Sequence, residues 1–416
     1  MSRKITIGII GLGNIGSALA GVLSTNHQVI LRNSGVDIRV KKVCDIKKRK
    51  TPFSFTSNPY DIINDPEIDV VVECIGGVNP ALKLVLAALY NSKHVVTPNK
   101  ELVAKHMKQL QKVAGENKVS LMFEASVGGG IPIIQPIKEC LPANNITEIY
   151  GIVNGTTNYI LSQMTEAGKE FSDALKEAQA KGYAEPNPSA DINGNDAAYK
   201  AAILASVAFQ IEVNMKDVYF EGITKVAQED IQYAADIGYL IKLLAITKKV
   251  GKEVEIRVHP TLVPKWHPLA AVSDNYNAIY VKGTPMGELM FYGQGAGGGP
   301  TASALVADLI SIAHCSLPIT HYSLLKSKIR NISQVQSRYY IRLQAPDRYG
   351  VLAGISKAFA KKKVSIAAVV QKEMVGNVAT IVIMVHTVAE RNLKAALAEV
   401  KKLSVVRKVC NVIRIV

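Results

Sequence analysis

The sequence predicts an α/β protein in three parts: a doubly wound parallel sheet, a middle α+β domain, and a small C-terminal βαββαβ domain of the ferredoxin-like type. Three observations predict it. A buried-strand run, Ile5 to Ile10, leads through Gly11-Leu12-Gly13-Asn14-Ile15-Gly16 into a helix-forming segment. Strand and helix patterns then alternate to about residue 140, the order that builds a parallel sheet. Finally, Arg338 to Val416 reads strand, helix, strand, strand, helix, strand. At 416 residues the chain exceeds what one compact core usually holds.

The first run is apolar and β-branched throughout, the mark of a strand covered on both faces. Glycines between such a strand and a helix permit a tight turn and bring backbone N–H groups to a pyrophosphate. Gly11, Gly13, Asn14, Ile15 and Gly16 are therefore candidate dinucleotide contacts in a Rossmann-type domain. A second strand, Ile38 to Cys44, ends at Asp45, an acid that suits an adenosine ribose hydroxyl. Lys48 and Arg49 follow at once and suit the 2′-phosphate of NADP, so NAD and NADP both stand. Asp69 to Ile75 is another buried strand, and Ile75 and Gly76 lie at its carboxyl end, where these sheets place their ligand. Thr97 and Lys100 follow the next strand beside the expected nicotinamide, although a lysine that starts a helix is more commonly on the surface. Glu124-Ala-Ser-Val-Gly-Gly-Gly-Ile131 is either an ordinary glycine-rich turn or one that gathers carbonyls for a hard cation.

A strand from Ile146 to Val153 delivers the chain into NGTTNYIL. The helix FSDALKEAQAK, with Ser172 as its expected cap, stops at Gly182. Glu185, Asp191 and Asp196 then arrive on a loop held open by Pro186 and Pro188. Such carboxylates suit an amino-acid ammonium, or make a solvated acidic loop. If Asn195 caps the next helix, its apolar stripe is Ile203, Leu204, Val207, Ala208 and Ile211, and Lys200 falls on that stripe, one turn after Asp196. An isolated Asp-x-x-x-Lys is more commonly a surface ion pair, so the acidic loop beside it matters. Beyond Val213 come a helix, VAQEDIQYAAD, and four strands of an antiparallel sheet. Gly293 to Pro300 opens a helix that returns to the first domain, with Gly297 approaching the cofactor. The expected division is 1–140, rejoined by the helix at 300–316; a middle domain at 141–325; a linker at 326–337; and the C-terminal domain at 338–416. There, the turn through Asp347 and Gly350 suits a small anion at a helix N-terminus.

The net charge of +15 is densest at Lys41 to Lys50, without interleaved aromatics, so a solvated face is expected and no nucleic acid. The five cysteines are scattered and never in C-x-x-C spacing, which indicates neither zinc nor a disulfide framework. No apolar run reaches the roughly 18 residues of a spanning helix. The N-terminus enters a strand directly, so no membrane partner is expected and a cytoplasmic location is.

Together these residues resemble the homoserine dehydrogenases that carry a C-terminal ACT regulatory domain, over essentially the whole chain. Ala178, Gly182, Tyr183, Ala184, Asn187-Pro188, Asp191-Ile192, Gly194, Asp196 and Lys200 fall in the register of the family signature, and GLGNIG, TPNK, VGGGIPII and NGTTNYIL are typical of it. The resemblance implies reversible NAD- or NADP-dependent reduction of L-aspartate 4-semialdehyde to L-homoserine, in threonine, methionine and isoleucine biosynthesis. It implies proton transfer by Lys200, a second lysine at Lys100, and substrate held by Glu185, Asp191, Asp196 and the backbone of Gly182. It also implies a structural monovalent cation, Na+ or K+, at Glu124 and the carbonyls of Val127, Gly129 and Ile131. The ACT domain implies an amino-acid effector, L-threonine, at Asp347, Gly350, Val351 and Leu352, and a homodimer or homotetramer. Two positions depart from the family: Cys44 stands where many relatives carry an arginine for the NADP phosphate, and Tyr349 replaces a common proline of the effector turn. The competing reading is a non-catalytic nucleotide and amino-acid sensor, which would be expected to have lost Lys200 or Asp196.

Overall fold

The computed structural model describes residues 3–315, 324–371 and 378–416. The chain opens with β1 (Arg3–Ile10), α1 (Asn14–Thr25), α2 (His27–Ser34), β2 (Val36–Cys44), β3 (Ser54–Thr56) and α3 (Tyr60–Ile63). It continues with β4 (Val70–Glu73), α4 (Ala81–Tyr90), β5 (His94–Val96), α5 (Lys100–Glu116) and β6 (Leu121–Met122). The six strands form a parallel sheet in the order β3-β2-β1-β4-β5-β6, the doubly wound arrangement expected. β1 lies between β2 and β4, with Ile10 opposite both Cys44 and Glu73. The strand order reverses there, so the turns after these three strands open on one crevice. After α1 the chain turns at Asn26 and forms a further helix, α2, that ends at Gly35, which takes φ 71°.

Next come β7 (Asn145–Ile152), α6 (Gly155–Glu166), α7 (Phe171–Ala180), α8 (Ser189–Ile192), α9 (Asn195–Phe209), β8 (Ile211–Glu212) and β9 (Tyr219–Phe220). They are followed by α10 (Gln228–Asp236), β10 (Tyr239–Val250), β11 (Glu253–Pro264), β12 (Tyr276–Thr284), β13 (Gly287–Gln294) and α11 (Gly298–His314). Two caps differ from expectation. Ser172 lies inside the first turn of α7, whose N-cap is Glu170. Asn195 is already helical, and the Gly194 carbonyl accepts the Ala198 N–H at 2.9 Å. α9 also has no single apolar stripe: Ala201 to Val207 are all buried, and Ile211 has left the helix for β8. A helix that is apolar nearly all round sits inside a domain, and Lys200 is buried with it.

The last part is β14 (Leu325–Lys326), β15 (Lys328–Ile329), β16 (Gln336–Ala345), α12 (Val351–Lys361), β17 (Ile366–Gln371), β18 (Ala379–Ala389), α13 (Glu390–Val400) and β19 (Lys408–Ile415). From β16 on, the strands pair antiparallel in the order β19-β16-β18-β17, the ferredoxin-like arrangement. Its core joins Ile341, Leu343 and Ile383 of the sheet to Phe359 and Leu393 of the two helices. Within the segment read as a linker, Lys328 and Ile329 pair with β11, and Arg330 meets Glu253 at 2.8 Å. Ser316, Lys372, Glu373 and Asn377, at the ends of expected elements, lie outside the described residues.

The chain divides into two compact units, 1–149 with 199–216 and 277–327, and 150–198 with 217–276 and 328–416. In the first, α11 packs along α1 through Leu305, Leu309 and Leu19, and a Cβ on Gly298 would come within 3.0 Å of that of Ala18. In the second, β10 pairs with β11 along its whole length, and β11 runs parallel to β19 at Thr261–Arg414 and Leu262–Ile415. The C-terminal sheet thus continues the middle one. Asp230 of α10, fully buried, clamps the same junction: it accepts Arg342 Nε at 2.6 Å, Tyr340 Oη at 3.2 Å and Asn411 Nδ2 at 2.8 Å.

Candidate active site

The glycine turn after β1 is built for close approach. Gly11 takes φ 99°, and a Cβ there would press on the Cys74 carbonyl at 2.7 Å, while one on Gly16 would overlap the Gly11 carbonyl oxygen. Over Gly13, by contrast, nothing lies within 4 Å of where a Cβ would be, and α1 has no side-chain cap. Open space at an uncapped helix start fits a pyrophosphate. Asp45 Oδ2 accepts the Leu12 N–H at 2.8 Å, bracing this turn from β2, and Arg49 Nε stands 3.6 Å from it. The Lys47 N–H, opposed by burial and aided by the Leu12 N–H, holds the Asp45 carboxyl below its usual range. Lys48 and Arg49 are exposed, and Arg49, Lys50 and Ser17 line a cavity of about 630 Å³.

Glu73 organises the rest of the crevice and was not anticipated. Fully buried, its carboxylate accepts the N–H groups of Ile75 (2.6 Å) and Gly76 (3.2 Å), the Thr97 hydroxyl (2.6 Å) and Asn99 Nδ2 (3.4 Å). One acid therefore fixes the turns after β4 and β5. The signal in the sequence is an acid inside an otherwise apolar run, Val70 to Ile75. Asn99 in turn caps α5 at the Leu102 N–H (3.1 Å), which sets Lys100 as the first helical residue. Tyr199 Oη reaches Glu101 at 3.5 Å, so the start of α5 and the turn of α9 that bears Lys200 are neighbours.

In the other unit, one carboxamide gathers two of the three anticipated acids. Asn154, the N-cap of α6, accepts the Thr157 N–H at 2.8 Å and donates through Nδ2 to Asp191 (2.7 Å) and Asp196 (2.9 Å). Asp196 is 4% exposed. In the sequence Asn154 only begins a motif, since its role depends on α6, α8 and α9 converging. Gly182, at φ 74°, ends α7, and the Tyr183 and Ala184 N–H groups return to the Ala178 carbonyl. Glu185 is exposed, with its carbonyl accepting Gln179 Nε2 at 3.2 Å.

The Glu124 turn is tightly hydrogen-bonded. Its carboxylate is committed to three main-chain N–H groups, Ile133 (2.5 Å), Ile134 (2.8 Å) and Gln135 (2.6 Å). Burial pushes the Glu124 carboxyl above its usual range, against the pull of those groups. Asp308 of α11, also fully buried, accepts the Glu124 N–H at 2.9 Å and Gln135 Nε2 at 2.9 Å, a support that sequence spacing of 184 residues concealed. Gly128 and Gly129 take φ 75° and 59°, which doubles the chain back between Val127 and Ile131. Among the described residues, no three His, Cys, Asp or Glu side chains cluster as a metal site.

Comparisons with known proteins show the family. Family models match residues 11–124 (homoserine dehydrogenase, NAD binding domain), 132–310 (homoserine dehydrogenase) and 339–405 (ACT domain). The homoserine dehydrogenase of Neisseria gonorrhoeae is 41% identical over 99% of this chain and 98% of its own, and that of Helicobacter pylori 42% over 100% of both. The chain belongs to the homoserine dehydrogenase family. It is therefore an oxidoreductase with an NAD-binding domain and an ACT domain. The crystal structure of a homoserine dehydrogenase from Thiobacillus denitrificans matches with a TM-score of 0.95 at 42% identity, covering 100% of this chain and 98% of that one. A hyperthermophilic archaeal homoserine dehydrogenase in complex with NADPH matches at 0.64 and 28%, covering 74% of this chain and 97% of that one. In the ACT domain the expected effector turn is open: Asp347 and Leu352 are exposed, Val351 is buried, and Gly350 takes φ 85° as the N-cap of α12. No helix among the described residues is long and apolar enough to cross a membrane.

Proposed function

We propose that this homoserine dehydrogenase interconverts L-homoserine and L-aspartate 4-semialdehyde, with Asp191, Asp196 and Glu185 holding the amino-acid end and Lys200 moving the proton. The pairing of Asp191 and Asp196 on Asn154 supports this most directly, because an amino-acid ammonium needs carboxylate partners and Lys200 follows Asp196 by one turn of the same helix. The nicotinamide coenzyme supplies or accepts the hydride. The rest falls to the chain. As a carbonyl oxygen gains charge, the Lys200 ammonium donates its proton to it; in the other direction the neutral amine withdraws a proton from the hydroxyl. Lys100, at the start of α5, stabilises the same oxygen, and Gly182 offers its backbone to the substrate. Gly11, Gly13, Asn14, Ile15, Gly16, Ile75, Gly76, Thr97 and Gly297 cradle the coenzyme. Asp45 favours the ribose hydroxyls of NAD, and Lys48 and Arg49 the phosphate of NADP, so both serve. Asp191→Asn or Asp196→Asn should raise the KM for homoserine by roughly tenfold or more while that for coenzyme stays level. Equal loss on both KM values counts against the assignment.

A monovalent cation would be held at this turn by Glu124 and the main-chain carbonyls of Val127, Gly129 and Ile131; its part is structural. The product serves threonine, methionine and isoleucine synthesis in the cytoplasm, with threonine binding at Asp347, Gly350, Val351 and Leu352. Saturating L-threonine lowers the rate in the homoserine assay; undiminished activity overturns that part. The exposed apolar strand β17 and the outward Met290 and Tyr292 of β13 are edges that a homodimer or homotetramer covers.

A further inference from the structure

The loop that carries Asp191 is moulded on a segment that the ACT domain holds. A Cβ on Gly222 would overlap the Ile192 carbonyl oxygen, and the Ile223 N–H donates to that oxygen at 2.8 Å. From the other side Gly194, at φ 88°, leaves only 3.0 Å between a Cβ and the Glu221 carbonyl oxygen. Residues 221–223 therefore form a template for 192–194, between Asp191 and Asp196. The template is held at two points. The Glu221 N–H donates to the Val258 carbonyl at 2.8 Å, and the Glu221 carboxylate accepts Nη1 and Nη2 of Arg414, each at 3.3 Å, as well as the Tyr219 hydroxyl.

Arg414 belongs to β19, the last strand of the ACT domain, and is 4% exposed. Its guanidinium is shared. Nε and Nη2 also reach Glu390, the first residue of α13, at 2.9 and 2.6 Å, and Glu390 accepts the Tyr339 hydroxyl at 3.2 Å. A planar guanidinium that binds one carboxylate through two parallel N–H groups of one edge has its direction fixed by that carboxylate. Glu390 thus aims Arg414, Arg414 aims Glu221, and Glu221 sets the main chain next to the substrate acids.

We propose that Arg414 and Glu221 are positioning residues for the reaction, through which the C-terminal strand of the ACT domain sets the Ile192–Gly194 main chain and with it Asp191 and Asp196. This rests on the reading of those acids as substrate ligands. The device also gives a displacement of α13 or β19 a path to the substrate without any change at the coenzyme.

Glu221→Ala in the full-length chain is the test, because it leaves the buried Glu390–Arg414 pair intact. It raises the KM for L-homoserine by roughly 3- to 30-fold with the coenzyme KM unchanged, and Glu221→Gln, which still accepts from Arg414, restores most of the loss. Hydrogen exchange at residues 191–198 rises in Glu221→Ala and returns in Glu221→Gln. Exchange that stays at the wild-type level, or a homoserine KM that does not move, overturns the proposal. A wild type with no homoserine activity defeats the functional reading instead, and the exchange result alone then decides this one.

Discussion

Lys200→Ala lowers the turnover of homoserine by roughly 10²- to 10⁴-fold, the usual worth of a positioned proton-transfer group, and leaves coenzyme binding within about twofold. The expectation follows from placement. Lys200 sits on α9 at 7% exposure, next to Tyr199, whose hydroxyl meets the first turn of α5 beside Lys100. The coenzyme turn at Gly11 to Gly16 and the Glu73 network do not depend on it. Lys200→Arg keeps the charge but moves the donor and spreads it over a fork, so it rescues little. Coenzyme titration by fluorescence separates the two effects; a loss of coenzyme binding equal to the loss of turnover would mean that α9 had collapsed.

Asp230→Ala destabilises the protein by about 3–5 kcal/mol, the cost of leaving a buried charge without its partner. Arg342 is 6% exposed and would lose both of its bonds to this carboxylate, at 2.6 and 3.2 Å. Tyr340 and Asn411 would lose an acceptor in the same place. Burial works against the Arg342 charge, and the Asp230 carboxylate outweighs it, raising the guanidinium pKa. Asp230→Asn keeps the shape but not the charge and sits between wild type and alanine. Urea unfolding followed in the ACT domain measures the difference; a shift below 1 kcal/mol would mean that water replaces the carboxylate.

Much of this was legible in the sequence because it depends on local pattern. The β-branched run of β1, the glycines after it and the strand-forming runs of β10 and β11 each dictate their own conformation. The spacing from Ala178 to Lys200 also held the acids and the lysine in one register. What escaped depends on long-range convergence. Asn154 only begins a motif until α8 and α9 bring Asp191 and Asp196 to its amide. Glu73 is one polar residue in an apolar run, and two of its four partners, Thr97 and Asn99, lie on the turn after another strand, β5. Asp308 braces Glu124 across 184 positions. Even where Lys200 was rightly expected to be buried, the reason differed: α9 is covered nearly all round, so a stripe drawn to Ile211 described the wrong boundary.

The most direct test follows nicotinamide absorbance with purified wild-type protein and L-homoserine, using NAD and NADP in turn. Absorbance should rise with either coenzyme, at a rate that saturates with L-homoserine and is abolished in Lys200→Ala. Absorbance that stays flat with both coenzymes, while a fluorescence titration shows coenzyme bound, would contradict the account and favour a nucleotide-binding sensor.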